Sequence, residues 1–175
     1  MSQGTPEDGA RKPTRPSSGA PNVVGGTAIA AAPASGPPYG EGDTSYRAAG
    51  ERAGITRLVD AFYRIMDELP EAQTIRRMHA RDLAISRDKL TLFLCGWMNG
   101  PSLYSAKYGP IRIPSAHEHL RIGPRERDAW LRCMALAISE QGYAADFAAY
   151  LLRELRVPAE RVLQTSRDPV ESGDD

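Results

Sequence analysis

The sequence has few of the features that mark secreted or membrane proteins. Only two of its 175 residues are cysteine, Cys95 and Cys133, and both stand among apolar residues. We therefore expect reduced core thiols in a cytoplasmic protein, with a disulfide between them as the alternative. No apolar run is long enough to cross a bilayer, and the first residues lack the apolar stretch of a signal peptide. We accordingly expect neither a membrane span nor a secretory leader.

Charge of one sign is not in excess either. The chain has 22 Lys and Arg residues against 22 Asp and Glu residues, so its formal net charge at pH 7 is zero. A strong basic excess is the usual mark of a protein that binds nucleic acid or an anionic membrane surface. We therefore expect no nucleic-acid partner and no membrane partner.

Large apolar residues are scarce in the first quarter of the chain. Residues 1–43 are rich in Pro, Gly, Ala and Ser, as in GGTAIAAAPASGPPYGEG, and they offer little to pack. Such a composition is typical of disorder. We predict a disordered tail over 1–43, one folded domain over 44–165 and a frayed C-terminal tail over 166–175.

The middle of the chain has the apolar spacing of helices. From Ile55 to Leu69 the apolar residues recur at three- and four-residue intervals, and Pro70 ends the run. Further helices are predicted over 86–98, 124–141 and from Phe147 onward, with a short helix or turn over 103–108 and a loop over 109–116. Pro158 should kink or end the last helix. Because no run alternates as a half-buried strand does, the predicted fold class is all-α.

The stretch 117–134, HEHLRIGPRERDAWLRCM, carries the most chemical information. Pro124 can begin a helix there, since proline at the first helical position lacks only an N–H that has no partner anyway. On that helix Trp130 shares an apolar face with Cys133, Met134, Ala137 and Ile138. His117 and Trp130 can thus approach one buried site from neighbouring elements. Imidazole can ligate haem iron and an indole N–H can donate to a bound diatomic ligand. Taken singly, a surface histidine and a core tryptophan are the simpler interpretations.

Three ordered segments resemble the truncated haemoglobins, and within them group II. ERDAWLRCM (126–134) is the most specific, LVDAFYRIMDELP (58–70) resembles the family's second helix, and KLTLFLCGWMNGPSLY (89–104) resembles its distal helix and following turn. The resemblance covers roughly residues 46–157. It implies a truncated globin fold, in which two antiparallel helix pairs stack as a two-over-two sandwich around haem. An ordinary helical bundle would explain the apolar stripes equally well.

The resemblance implies a distal pocket with three hydrogen-bond donors. Tyr63 would point at the distal side of the haem, and Trp130 matches the family's distal tryptophan. His79 lies in a loop where the family has a ring residue facing the ligand, and its imidazole could act as a donor there. A core tyrosine, a core tryptophan and an exposed loop histidine are the competing interpretations.

The resemblance also implies residues that hold non-covalent haem b, or iron protoporphyrin IX. His117 has the family register of the iron ligand, and His119 is a surface residue or an alternative ligand. The neighbours depart from the family, because Ala116 replaces an arginine and 118–120 replace Ala-Pro-Phe. No C-x-x-C-H motif is present, so no thioether attachment is expected. The remaining cofactor-binding candidates are Phe62, Ser86, Lys89, Leu90, Phe93, Leu94, Tyr104, Arg112, Leu120 and Trp130.

These candidates have simpler alternatives. Lys89 and Arg112 match basic positions near the haem propionates, with Tyr104 adding a hydroxyl, whereas solvated surface charge explains them equally well. Ser86 stands where many globins have a distal histidine, and a helix cap is its alternative. Core packing is the alternative for the apolar candidates.

The implied function is the binding of O2, NO, CO or peroxide at iron. A pocket with several donors would release O2 slowly, which favours chemistry or sensing over bulk transport. We consider nitric oxide dioxygenase and peroxidase-like activity, either of which needs an unidentified reductase. The alternative from another class is a haem-free helical module that binds a partner.

Overall fold

The computed structural model describes residues 38–113, 117 and 119–167, and within these ranges no β-strand is present. The predicted all-α class is therefore confirmed for the described part. Most of the predicted N-terminal tail, residues 1–37, lies outside the described residues, as do residues 114–116, Glu118 and residues 168–175. None of the described helices is both long and apolar enough to cross a membrane.

Seven α-helices and one short 3-10 turn are described over their whole length, and Ile113, in the predicted loop over 109–116, and His117 are helical as well. In chain order they are α1 (Thr44–Ala48), α2 (Glu51–Glu68), the 3-10 turn (Pro70–Ala72), α3 (Gln73–Arg77), α4 (Ala84–Trp97), α5 (Leu103–Tyr108), α6 (Pro124–Ser139) and α7 (Ala145–Arg167).

Helix α2 is built on the apolar spacing seen in the sequence. Ile55, Leu58 and Phe62 are completely buried, because residues three and four apart lie on one face of a helix. The helix ends before Pro70, where Leu69 turns to an extended conformation with φ −78° and ψ 120°. The Gln73 side chain then donates from Nε2 to the Leu69 carbonyl at 3.3 Å, which satisfies a group at the helix end.

The four long helices form two packed pairs. Helix α2 packs against α4, α6 packs against α7, and a contact between α2 and α6 joins the pairs. The two-over-two arrangement is thus confirmed. Cys95 and Cys133 are buried and free, as predicted. Burial raises the pKa of the Cys133 thiol to about 11, which keeps it protonated and unreactive near neutral pH.

Helix α7 does not end at Pro158. Of the two predicted effects of this proline, a kink or an end of the helix, the end is wrong, because α7 continues to Arg167. A proline inside a helix removes one backbone hydrogen bond. Leu155 and Leu163 on either side are each only 1 % exposed, and the burial of these side chains stabilises the helix beyond the proline.

The folded part begins earlier than the predicted boundary at residue 44. The ring centroid of Tyr39 lies 5.0 Å from that of Phe147 and 5.3 Å from that of Tyr150. Its hydroxyl donates to Asp146 Oδ2 at 3.2 Å, and Asn99 Nδ2 donates to the Gly40 carbonyl at 3.0 Å. Tyr39 therefore attaches the end of the Pro- and Gly-rich segment to α7. Composition alone did not indicate this contact.

Candidate functional site

A cavity of about 430 Å³ lies among the helices and takes its walls from most of them. This volume falls within the range of small-molecule and cofactor sites. All but one of the residues predicted for the site line this cavity: Tyr63, His79, Ser86, Lys89, Leu90, Phe93, Leu94, Tyr104, Arg112, His117, Leu120 and Trp130.

Phe62 is the exception, because it lies behind the cavity wall. It is completely buried, and its ring centroid is 5.0 Å from that of Tyr63 and 5.4 Å from that of Trp130, both in edge-on packing. Its side chain therefore packs within the helical core and against the backs of two residues of the cavity wall. The structure gives Phe62 a supporting position beneath two side chains that do line the cavity.

His117 reaches the cavity with one ring nitrogen already in use. Its Nδ1 lies 2.7 Å from the Ile113 carbonyl oxygen, and the imidazole is half-buried. A carbonyl oxygen can only accept a hydrogen bond, so Nδ1 carries the proton, and in the neutral ring Nε2 holds a lone pair. This is the arrangement in which histidine typically ligates a metal, because the second bond fixes the ring orientation and raises its basicity.

His79 has a similar arrangement in the segment after α3. Its Nδ1 lies 2.8 Å from the Ile75 carbonyl oxygen, and its ring meets the Tyr63 ring edge-on with centroids 5.5 Å apart. Burial lowers the pKa of His79 below its ordinary value of 6.5, and the charges of Arg76 and His117 lower it further, against the effect of the Ile75 hydrogen bond. The neutral imidazole is therefore favoured at neutral pH. The neutral ring has its hydrogen at Nδ1, bound to Ile75. The donor role that we predicted for His79 therefore requires the doubly protonated imidazolium.

Arg76 fixes the segment that carries His79. Its guanidinium donates to the carbonyl oxygens of Ala80 at 3.0 Å and Arg81 at 3.1 Å, and it pairs with the Asp67 carboxylate. One side chain thereby joins the end of α2 to both residues that follow His79. No periodic signal in the sequence indicated this connection.

Tyr63 places a buried phenol on the cavity wall and is only 4 % exposed. Burial raises the pKa of its hydroxyl to about 12, although the Ser86 hydroxyl and the charges of Arg87 and Arg76 act in the opposite direction. The Arg87 guanidinium lies 5.5 Å from the Tyr63 ring centroid and is bound to Asp60 Oδ1 at 2.8 Å. Tyr63 is therefore a protonated hydroxyl at neutral pH and can donate a hydrogen bond.

Helix α6 carries Trp130 to the cavity wall, where its ring packs on Phe62 as that of Tyr63 does. The helix begins at Pro124, and the Glu126 carboxylate accepts the Gly123 N–H at 2.9 Å, which satisfies a backbone donor at the helix start. Trp130 is half-buried and lines the cavity, while Cys133, Met134, Ala137 and Ile138 are buried in the core. The indole contributes a donor N–H and has no acceptor.

Basic groups border the cavity on the side of α4 and α5. Lys89 lies with its Nζ 5.1 Å from the Tyr108 ring centroid, and Arg112 is exposed. Beside them Asp88 accepts hydrogen bonds from Lys107 at 2.8 Å and Tyr108 at 2.6 Å. These two bonds lower the pKa of the Asp88 carboxyl. Asp88 is thus already paired with a lysine, and Lys89 and Arg112 bring positive charge to the cavity edge.

The cavity also has walls that we did not predict. Leu155, Pro158 and Val162 of α7 line it, together with Ile111 and Ile113 between α5 and α6. Helical spacing marked Leu155 as core, but nothing in the sequence showed which space it faces. Residues 109–116 have no periodicity, so no signal was available there. His119 also lines the cavity and is exposed.

The described residues do not form a metal site built from several protein side chains. In the part of the chain that the structure describes, no three His, Cys, Asp or Glu side chains are grouped to hold a metal ion. The cavity instead combines single imidazole nitrogens with an apolar interior and basic groups at its edge. A flat, largely apolar ligand with acidic substituents and its own metal fits this chemistry.

Known proteins resemble the chain over the same residues. A match to the family described as bacterial-like globin spans residues 44–160. The group 2 truncated haemoglobin YjbI of Bacillus subtilis is 28 % identical over 118 residues, which is 67 % of this chain and 86 % of that protein.

Solved structures agree with this match. The group II 2-on-2 haemoglobin of Agrobacterium tumefaciens is 34 % identical, has a TM-score of 0.64 and is matched over 67 % of this chain and 92 % of its own. The cold-adapted truncated haemoglobin of Pseudoalteromonas haloplanktis TAC125 is 27 % identical with a TM-score of 0.66, over 68 % of this chain and 96 % of its own.

Proposed function

Because the chain belongs to the bacterial-like globin family, as a truncated haemoglobin of group II, we propose that its cavity holds non-covalent haem b through His117 and binds O2. Haem and the binding of small diatomic ligands are general properties of a globin family, whereas the iron ligand and the distal donors are our assignments. The observation that carries the iron-ligand assignment is the hydrogen bond from His117 Nδ1 to the Ile113 carbonyl, which leaves the Nε2 lone pair for a metal.

The cavity walls suit haem in shape and charge. When bound, haem would supply an iron atom that can bind a diatomic ligand. Leu90, Phe93 and Leu94 offer apolar surface to the porphyrin faces and exclude water from the site. Lys89 and Arg112 at the cavity edge would pair with the two propionate carboxylates, and Tyr104 would add a hydroxyl donor.

Tyr63 and Trp130 would act on the ligand. Both line the cavity, and each has a donor hydrogen, the phenol O–H and the indole N–H. In a space that excludes water, these donors stabilise negative charge on a ligand more strongly than water-exposed donors would. Each hydrogen bond to a charged acceptor contributes roughly 1.5–3 kcal/mol, so two of them would slow ligand release by orders of magnitude.

Slow release favours chemistry or sensing over oxygen delivery. We propose that the O2-loaded protein oxidises nitric oxide to nitrate or that the ferric protein turns over peroxide. Either cycle needs electrons from a reductase partner. The test is stopped-flow mixing of the oxygenated protein with NO, where rapid conversion to the ferric spectrum supports the oxidation of NO. No fast conversion would exclude that activity and leave O2 binding in place.

The haem assignment is tested by the pigment and by two matched variants. We expect purified protein supplied with haem to show an intense Soret band. His117→Ala should lose or weaken the band, whereas His119→Ala should retain it, although both side chains line the cavity. Loss in the His119 variant alone would move the iron ligand to that residue. A wild-type protein that takes up no haem would favour a haem-free, partner-binding module.

A further inference from the structure

The distal wall contains one group whose hydrogen-bonding role is opposite to that of its neighbours. His79 Nδ1 lies 2.8 Å from the Ile75 carbonyl oxygen, which can only accept. The single N–H of the neutral imidazole is therefore at Nδ1, and Nε2 holds a lone pair. The His79 ring lines the cavity beside Tyr63, with ring centroids 5.5 Å apart. A neutral His79 consequently brings an acceptor to a wall where Tyr63 and Trp130 bring donors.

The surroundings of His79 keep its ring in this orientation and uncharged. Arg76 holds the next two residues through the carbonyl oxygens of Ala80 and Arg81. Burial lowers the pKa of the imidazole, as do the nearby Arg76 and His117, against the raising effect of the hydrogen bond to Ile75. Glu126, an acid on the cavity wall, is occupied by the Gly123 N–H at 2.9 Å. The carboxylate therefore has a partner of its own in the helix start.

We propose that His79 is the proton acceptor of the distal pocket and that it favours weakly acidic ligands HX, such as hydrogen cyanide and hydrogen peroxide. This inference rests on the proposed function, since it needs a metal that binds X⁻. As HX ionises, its proton moves to His79 Nε2 and X⁻ keeps the electron pair of the broken H–X bond. The new imidazolium carries an N–H at Nε2, which joins Tyr63 and Trp130 as a third donor to the anion. Neutral ligands without a proton, such as CO, gain nothing from this group.

Rates of cyanide and CO binding separate a proton acceptor from a simple wall residue. We would measure cyanide association with the ferric protein and CO association with the ferrous protein, both at neutral pH, by stopped flow. General acid–base groups contribute typically about 10²–10⁴-fold, so His79→Phe should slow cyanide association by about 100-fold or more. CO association should change far less. His79→Gln, which keeps a hydrogen-bond acceptor but takes up no proton, should also be slow. Trp97→Phe is the control, because Trp97 packs against the core from the last turn of α4, and it should leave both rates near those of wild type.

Equal changes in the two rates of His79→Phe would reduce His79 to a steric role and overturn the inference, as would an unchanged cyanide rate. The tautomer of His79 provides a second readout, which is measured on the wild-type protein. In the ferrous CO form labelled with ¹⁵N-histidine, long-range proton–nitrogen NMR should show the His79 hydrogen at Nδ1, with the signal assigned by its absence in His79→Phe. A hydrogen at Nε2 would contradict the inference. Failure of the proposed function is recognised separately, by a wild-type protein without a His117-dependent Soret band.

Discussion

Replacing Trp130 by phenylalanine tests the distal pocket with little change in packing. Trp130 lines the cavity and meets Phe62 with ring centroids 5.4 Å apart. Phenylalanine keeps an aromatic ring in that contact and removes the indole N–H. The variant therefore isolates one donor, whereas alanine would also open space beside Phe62 and mix a cavity effect with the loss of the hydrogen bond.

The expected effect follows from the burial of the donor. A hydrogen bond to a charged acceptor contributes roughly 1.5–3 kcal/mol, and about 1.4 kcal/mol corresponds to a factor of ten. We therefore expect the O2 dissociation rate of Trp130→Phe to rise about 10- to 150-fold. CO attracts donors much less because it carries little negative charge, so its dissociation rate should change by a small factor only.

The assay is replacement of bound O2 by CO in a stopped-flow instrument. Trp97→Phe is the matched control, because Trp97 packs against the core from the last turn of α4. Its O2 dissociation rate should stay close to that of wild type. An equal rise for O2 and CO in Trp130→Phe would indicate a steric effect, and an unchanged O2 rate would refute the role of the indole as a donor.

Three further predictions concern stability. Because burial raises the pKa of Tyr63 from 10.0 to about 12, the unfolded chain loses this proton first, and the free energy of unfolding should fall between pH 10 and pH 12. The loss from a shift of this size is up to about 3 kcal/mol, and urea denaturation of Tyr63→Phe should lack it. Because the pKa of His79 is lowered, the unfolded chain binds more protons below pH 6.5. Stability should therefore decrease as the pH falls through that value, and His79→Gln should show a weaker decrease in the urea midpoint. Leu155→Ala should cost about 2–5 kcal/mol in urea denaturation, because the side chain is buried between the core and the cavity. A cost below about 1 kcal/mol would contradict its placement.

Local sequence signals predicted the long helices well because each depends on residues close together in the chain. The run from Ile55 to Leu69 ended where Pro70 stands, and α5 has the predicted bounds. Pro158 shows the limit of such signals. Proline disfavours the interior of a helix. The burial of Leu155 and Leu163 nevertheless stabilises the helix on both sides of Pro158.

The sequence predicted which residues line the cavity better than it predicted how their side chains are arranged. The resemblance to a known family selected residues such as Tyr63, Trp130 and His117, all of which line one space. It also selected Phe62, which is completely buried behind Tyr63 and Trp130. The hydrogen bond of His79 to Ile75 was beyond prediction, because it depends on side-chain orientation rather than on sequence spacing.

Attachment of the N-terminal segment was missed for a related reason. Pro, Gly and Ala in residues 1–43 indicate disorder as an average over the segment. A single residue, Tyr39, packs its ring on Phe147 and Tyr150, which are more than one hundred positions away. Composition averages conceal a contact made by one side chain with a distant helix.

The most direct test of the central claim is crystallographic electron density of the haem-loaded protein. We predict continuous density from His117 Nε2 to the iron, with Tyr63 and Trp130 facing the opposite side of the porphyrin. Iron bonded to His119 instead, or a cavity closed by its own apolar side chains while haem lies elsewhere, would contradict it.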